Sequence, residues 1–335
     1  MNGNEAKQRH FNILFMLTRR HLKMIFANRI RMMYTLMVPV IILVVYILFL
    51  RQLEISSIQA NLPGLAANDN PQLLKHISTI VDSWMLSGLL SISTITVSLQ
   101  INSLIVEDKE HGINRDFIAS PVSRRVLIFS YFLYNFLVTA LLSLVVFIIC
   151  ILFLAIQGEF VMGAADFFGS LGVMLFSCIL STLITTFICL FVNAEGVLAS
   201  IIAAFSAAAG FLMGAYMPIS MLPTGIRYAC AVFPLTYACA LSRFGFLATP
   251  FVNLGNYLAA NPSIVPEGYT ATQIMETIEG GFGYRIDFFG AAKIDVGYSA
   301  LVVVVFLLLF LVLNILCSKR LAKIENKPLF RRAKK

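Results

Sequence analysis

The chain has 335 residues, of which 59% are apolar and only 13% charged, with a formal net charge of +8. Soluble domains carry roughly 25% charged residues, and a core of this length cannot take so much apolar surface out of water. A water-soluble domain is therefore excluded, and an all-α integral membrane protein is expected.

In chain order, residues 1–31 come first. Within them FNILFMLTRRHLKMIFANRIR predicts an amphipathic helix lying on the membrane surface. Phe11, Leu14, Phe15, Leu22, Ile25 and Phe26 recur at helical spacing, with Arg19, Arg20 and Lys23 grouped elsewhere. The plainer alternative is a basic flank of the first span. The rest, 32–335, forms one transmembrane domain. A helix needs about 20 apolar residues to cross, and charge-poor runs place six spans near 32–50, 83–106, 127–156, 167–193, 197–221 and 296–318. The first run is too long for the apolar region of a cleavable signal peptide, so none is expected.

The second span carries Ser83, Ser87, Ser91, Thr94, Ser98 and Asn102 at steps of three and four residues, which puts them on one stripe. In lipid such a stripe faces protein or water. Either it glues helices together or, as Ser87, Ser91, Thr94 and Ser98 suggest, it lines a passage.

The stretch EDKEHGINRDFIASPVSRRV, 107–126, follows with eight charges between two apolar runs. It reads as a short helix or turn pair at the membrane surface, presenting charge of both signs to a soluble partner. An ordinary solvated loop is the alternative. The fifth span has a small-residue side, Gly196, Ser200, Ala203 and Ala207, leading to Gly210 and Gly214 at GxxxG spacing for packing against another helix. Pro218, Pro223 and Pro234 then predict a broken, re-entrant helical segment, with 228–242 too short to cross. Later in this loop, 227–295, a short helix is expected, opened by a Thr270–Gln273 capping box and stopped at Gly280–Gly281.

Basic residues fix the orientation. The amino-terminal 31 residues hold seven, the tail from Lys319 eight and the 107–126 stretch four, leaving six for the alternate loops. Both termini and 107–125 are thus expected in the cytoplasm, and loop 227–295 outside. The basic balance is read as topology and attraction to the lipid bilayer, with no nucleic acid partner. No Cys/His spacing suggests a metal, and a Cys230–Cys239 disulfide is left open by Pro234. The expected spans lack the residues of an intramembrane protease or an ion-coupled carrier. No P-loop occurs, so a transporter built from this chain is passive or borrows work from a partner.

The 107–126 stretch resembles the cytosolic signature of ABC type-two permeases, approximately E-R-E-x-G-T, an apolar residue, then S/T-P. Asp108, Lys109, Glu110, Gly112, Ser120 and Pro121 take its places, with Asp for the first Glu, Lys for Arg and Ile113 for Thr. Met217-Pro218-Ile219, Leu222-Pro223 and Phe233-Pro234-Leu235-Thr236-Tyr237 resemble the family's apolar segment after the fifth span. The likeness implies that 107–125 couples to a separate ATPase subunit, present in two copies and carrying the ATP and Mg, while this chain needs no cofactor and is not itself an enzyme. It implies a second permease subunit, a path between the first, second and fifth spans, and a bacterial plasma membrane location. It also implies export of a drug, antimicrobial peptide or lipid, because polysaccharide exporters tend to have small outer loops. The rivals are a polysaccharide or glycolipid exporter, a passive channel or scaffold without an ATPase, and, from a third class, an intramembrane enzyme.

Overall fold

A computed structural model describes residues 3–61, 70–120, 122–266, 268–284 and 295–318, and among them every regular element is helical. Helix α1, Gly3–Ala27, ends at Asn28, whose side chain caps α2, Arg29–Val45, by accepting from the Arg31 amide at 3.0 Å. A π-helical segment, Tyr46–Leu50, carries α2 into α3, Arg51–Asn61. Asn70 then caps α4, Pro71–Ile101, with Pro71 at the first position, where a missing N–H costs nothing. Two short helices follow, α5 at Ser103–Glu110 and α6 at Ile113–Ala119. Next come α7, Arg124–Ile156, α8, Ala164–Phe191, and α9, Glu195–Leu212. The turn beyond α9 holds a 3₁₀ segment, Ile219–Met221, and α10, Thr224–Val232. The chain closes with α11, Pro234–Ala260, α12, Ala271–Gly281, and α13, Val296–Cys317.

Helix α4 is the axis, enclosed by α2, α7, α8, α9 and α11. At one end its last turns join α1, α5 and the near ends of α7, α8 and α9 in one apolar cluster built around Tyr131, Tyr134 and Leu198. At the opposite end Trp84, Ile77 and Leu73 pack with Tyr46, Leu247, Phe251 and the buried side of α12. Helices α2, α9 and α13 lie outermost and expose apolar side chains such as Met33, Phe211, Leu308 and Val312. In lipid such surfaces need no cover.

Seven helices among the described residues are long and apolar enough to cross a membrane, one more than the sequence suggests. The addition is α11. Pro234 was expected to interrupt a short segment, yet it opens a helix of 27 residues. Proline lacks only a donor that the first helical turn leaves unused. The expected amphipathic helix is present, but its apolar residues divide. Leu17 and Ile25 are buried with the ring of His21, whereas Phe11, Phe15 and Phe26 stay exposed. The Thr270–Gln273 capping box of α12 forms as the sequence indicates. Cys230 and Cys239 are buried free thiols.

Candidate functional site

The densest polar contacts radiate from the end of α5. Consecutive helical residues point roughly 100° apart, so four in a row fan out in four directions. Glu107 accepts from Arg31 of α2 at 2.8 Å. Asp108, fully buried, accepts from both terminal nitrogens of Arg20 of α1 at 3.0 and 3.1 Å and from the Tyr131 hydroxyl of α7 at 2.6 Å. The Lys109 ammonium donates to the carbonyls of Cys189, Leu190 and Val192 at 2.7–2.9 Å. Glu110 accepts from the Glu195 amide at 2.6 Å. The signs follow the helix dipoles. A cation closes the carbonyl end of α8, and an anion closes the amide end of α9. Residues 107–110 thus tie together α1, α2, α7, α8 and α9.

Second contacts brace this junction. The Arg20 guanidinium lies 5.1 Å from the centre of the Phe117 ring in α6. His21 stacks on Tyr131 with ring centres 4.4 Å apart, and burial, helped by the Arg20 charge, pushes its imidazole down to about 4. Gly112 turns α5 into α6 at φ +77°, a conformation that resists side chains. Ser120 donates to the Phe117 carbonyl and leads away in extended conformation. Pro121 lies outside the described residues.

The sequence suggested that the charges of 107–126 face a soluble partner. The structure turns Asp108 and Lys109 inward instead. Beside them the outward side of the junction presents His111, Asp116 and Ala119. Composition marked the cluster but could not reveal its partners, because Arg20 and Arg31 lie 88 and 76 residues away. Tyr131 was legible only as a polar ring in an otherwise greasy run.

The serine and threonine stripe of α4 is also turned inward, toward neighbouring helices of the same chain. Ser87 and Ser91 donate to carbonyls of their own helix. Thr94 meets Ser181 at 3.0 Å, and Ser98 meets Thr185 at 2.8 Å. Asn102 and Asn135 donate into the same row from α4 and α7. All four residues assigned to a path are buried against neighbouring helices of the same chain. Thr94 and Ser98 thus bond α4 to α8, whereas Ser87 and Ser91 bond within α4. Thr94→Leu is expected to lower stability in detergent by roughly 1–3 kcal/mol through overpacking and the lost bond to Ser181. Equilibrium unfolding measures it, and unchanged stability with lost transport would restore the passage.

Gly210 and Gly214 pack within the chain. A Cβ at Gly210 would lie 2.0 Å from the Tyr216 ring, and Gly214 turns the chain at φ +65°. The Gly214 carbonyl accepts from buried Arg243, whose guanidinium lies 5.3 Å from the centre of the Trp84 ring. Pro218 and Pro223 flank the 3₁₀ turn before α10. Gly196, Ser200, Ala203 and Ala207 of α9 are instead exposed, as are Ala199, Ala204 and Ala208.

A second polar centre closes the opposite end, its members scattered along the sequence at span edges. Asp82, fully buried, accepts from the Tyr46 hydroxyl at 2.6 Å and from Arg51 at 2.9–3.2 Å. Tyr46 opens the π-helical segment and Arg51 directly follows it, and such distortions are frequent at functional sites. Glu159, between α7 and α8, accepts a hydrogen bond from the Ser78 hydroxyl at 2.5 Å and a longer contact of 3.4 Å from the same Arg51. Lys75 sits beside Gly158. Burial, then the neighbouring Asp82 carboxylate, pushes Glu159 up to about 8. A carboxyl raised in the folded state contributes stability that is complete below its ordinary value of 4.5 and lost as pH rises through about 8. The melting temperature is thus expected to fall between about pH 6.5 and 8, and Glu159→Gln to remove that fall. His21 acts in the other direction. Its contribution is present above pH 6.5 and disappears toward about 4, and Glu159→Gln leaves it unchanged.

A family model described as ABC-2 type transporter matches residues 13–247, more than half of the chain. That stretch runs from α1 through the five-helix junction into α11. The chain belongs to this family. It is a multi-pass permease of an ABC transporter, a membrane transport component associated with an ABC ATPase. No curated protein matched the chain.

Proposed function

We propose that this protein is the membrane subunit of an ATP-driven exporter, moving a hydrophobic or amphipathic substrate out of the cytoplasm while a separate ATPase hydrolyses ATP. The observation that carries the reading is the fan of contacts from Glu107 to Glu110. A push on α6 reaches α1, α2, α7, α8 and α9 through rigid polar links. This is the arrangement needed where work enters from outside the chain. The surface that receives the ATPase is the outward side of α6 with His111, Asp116 and Ala119, and α1 lies beside it.

The same reading orients the chain in a bacterial plasma membrane with both termini, α5 and α6 in the cytoplasm, following its basic residues. Six helices then cross, and α10 with α11 form the re-entrant pair. Support comes from register. Gly245 lies against Ser170, and Thr249 donates to Asp166 at 2.5 Å, so α11 runs antiparallel to the first half of α8. Pro234 then falls opposite about residue 181, roughly 15 Å short of the end of α8. A second permease subunit would cover the exposed small residues of α9, with the path between paired copies of α2, α4 and α9. The outer region with α12 favours a drug, antimicrobial peptide or lipid over a polysaccharide.

Purification of the tagged chain from its native membrane tests the reading. An ATP-hydrolysing subunit is expected to co-elute in equal amount and to respond to substrate. A chain that elutes alone yet conducts or scaffolds would favour the passive reading.

A further inference from the structure

On the side of the membrane that holds α5 and α6, a groove of about 220 Å³ opens between α7, α8 and α13. Ile128, Phe129 and Phe132 of α7, Leu183 of α8, and Leu311 and Ile315 of α13 wall it. Its mouth is different. Arg125 stands there, exposed, in the first turn of α7, with Arg124 just before it. Neither forms an ion pair among the described residues. Two cations in the first turn also oppose the dipole of a helix of 33 residues, so this end lacks an anion. Helix α13 meets α8 beside the groove through Asn314, which donates to the Leu183 carbonyl at 2.9 Å.

The groove itself is apolar, and the two arginines, unpaired among the described residues, stand at its end. A soluble anion would satisfy the arginines and leave the phenylalanine trough empty. An uncharged apolar molecule would fill the trough and leave the arginines unmatched. A molecule with an anionic head and a hydrocarbon chain satisfies both, and the surrounding leaflet supplies it.

We propose that the groove seats one resident anionic glycerophospholipid of that leaflet. Its phosphate lies on Arg125, with Arg124 adding to the local field, and an acyl chain runs inward along Phe129, Phe132 and Leu311. The lipid wedges α7 and α13 apart at a fixed distance while both remain packed on α8. This site is independent of the ATPase surface, which lies on α6.

Native mass spectrometry of the full-length chain in mild detergent, titrated with phosphatidylglycerol or phosphatidylcholine, tests the proposal. Wild type is expected to retain one lipid with a clear preference for phosphatidylglycerol. Each basic residue near a membrane surface accounts for roughly a fivefold factor in affinity. Arg124→Gln with Arg125→Gln should therefore cut phosphatidylglycerol binding about 25-fold and leave phosphatidylcholine unchanged. Ile315→Trp, at a position 45% exposed and so tolerant of bulk, should fill the groove and lose the bound lipid of either headgroup. Retained phosphatidylglycerol preference in the arginine variant, or a retained lipid in Ile315→Trp, would overturn it.

Discussion

Replacing Asp108 with alanine is expected to destabilise the protein by about 3 kcal/mol, the lower end of the range for removing one partner of a buried ion pair. The lower end applies because the Arg20 side chain keeps 30% of its surface in solvent, whereas the Asp108 side chain has none. The loss has two parts. Arg20 is left without its anion, and the buried Tyr131 hydroxyl loses its 2.6 Å acceptor. Equilibrium unfolding in detergent measures the effect, and a double-mutant cycle with Arg20→Ala separates the ion pair from the Tyr131 bond. A loss under 0.5 kcal/mol would mean that Asp108 is merely a solvated loop residue.

The second large effect is expected on transport with little change in stability. Asp116 sits in the first turn of α6, exposed, with no hydrogen bond or ion pair from its side chain among the described residues. Asp116→Lys therefore leaves the fold intact, within about 0.5 kcal/mol. At a docking surface, by contrast, a reversed charge confronts its former partner and weakens association, most strongly at low salt. Transport is expected to fall at least tenfold while the melting temperature stays within a degree or two. Loss of both together would make Asp116 structural, and loss of neither would leave α6 outside the coupling route.

The contrast between these residues explains what could be read from the sequence. The spans were legible because apolar runs longer than about 17 residues have few other uses. The α12 cap was legible because Thr270 and Gln273 interact over three residues, a local rule. Contacts between distant segments were not. Nothing local says that Lys109 reaches the end of α8, or that Glu159 shares Arg51 with Asp82. The α4 stripe shows the limit from the other side. Its spacing correctly put Thr94 and Ser98 on one face, but a hydroxyl facing water and one facing Ser181 leave the same pattern in sequence. Pro234 misled because proline is a breaker within a helix and a favoured residue at its first position. Only the turns before it, around Pro218 and Pro223, decide which applies.

That the junction of α5 and α6 receives work from an ATPase can be tested most directly by crosslinking in native membranes. A photoreactive residue is placed at position 116, on the outward side of α6, and for comparison at position 270, the cap of α12. Position 116 is expected to capture the ATPase subunit, with capture lost in high salt, and position 270 is expected to capture none of it. Capture from position 270 with none from position 116 would contradict the account.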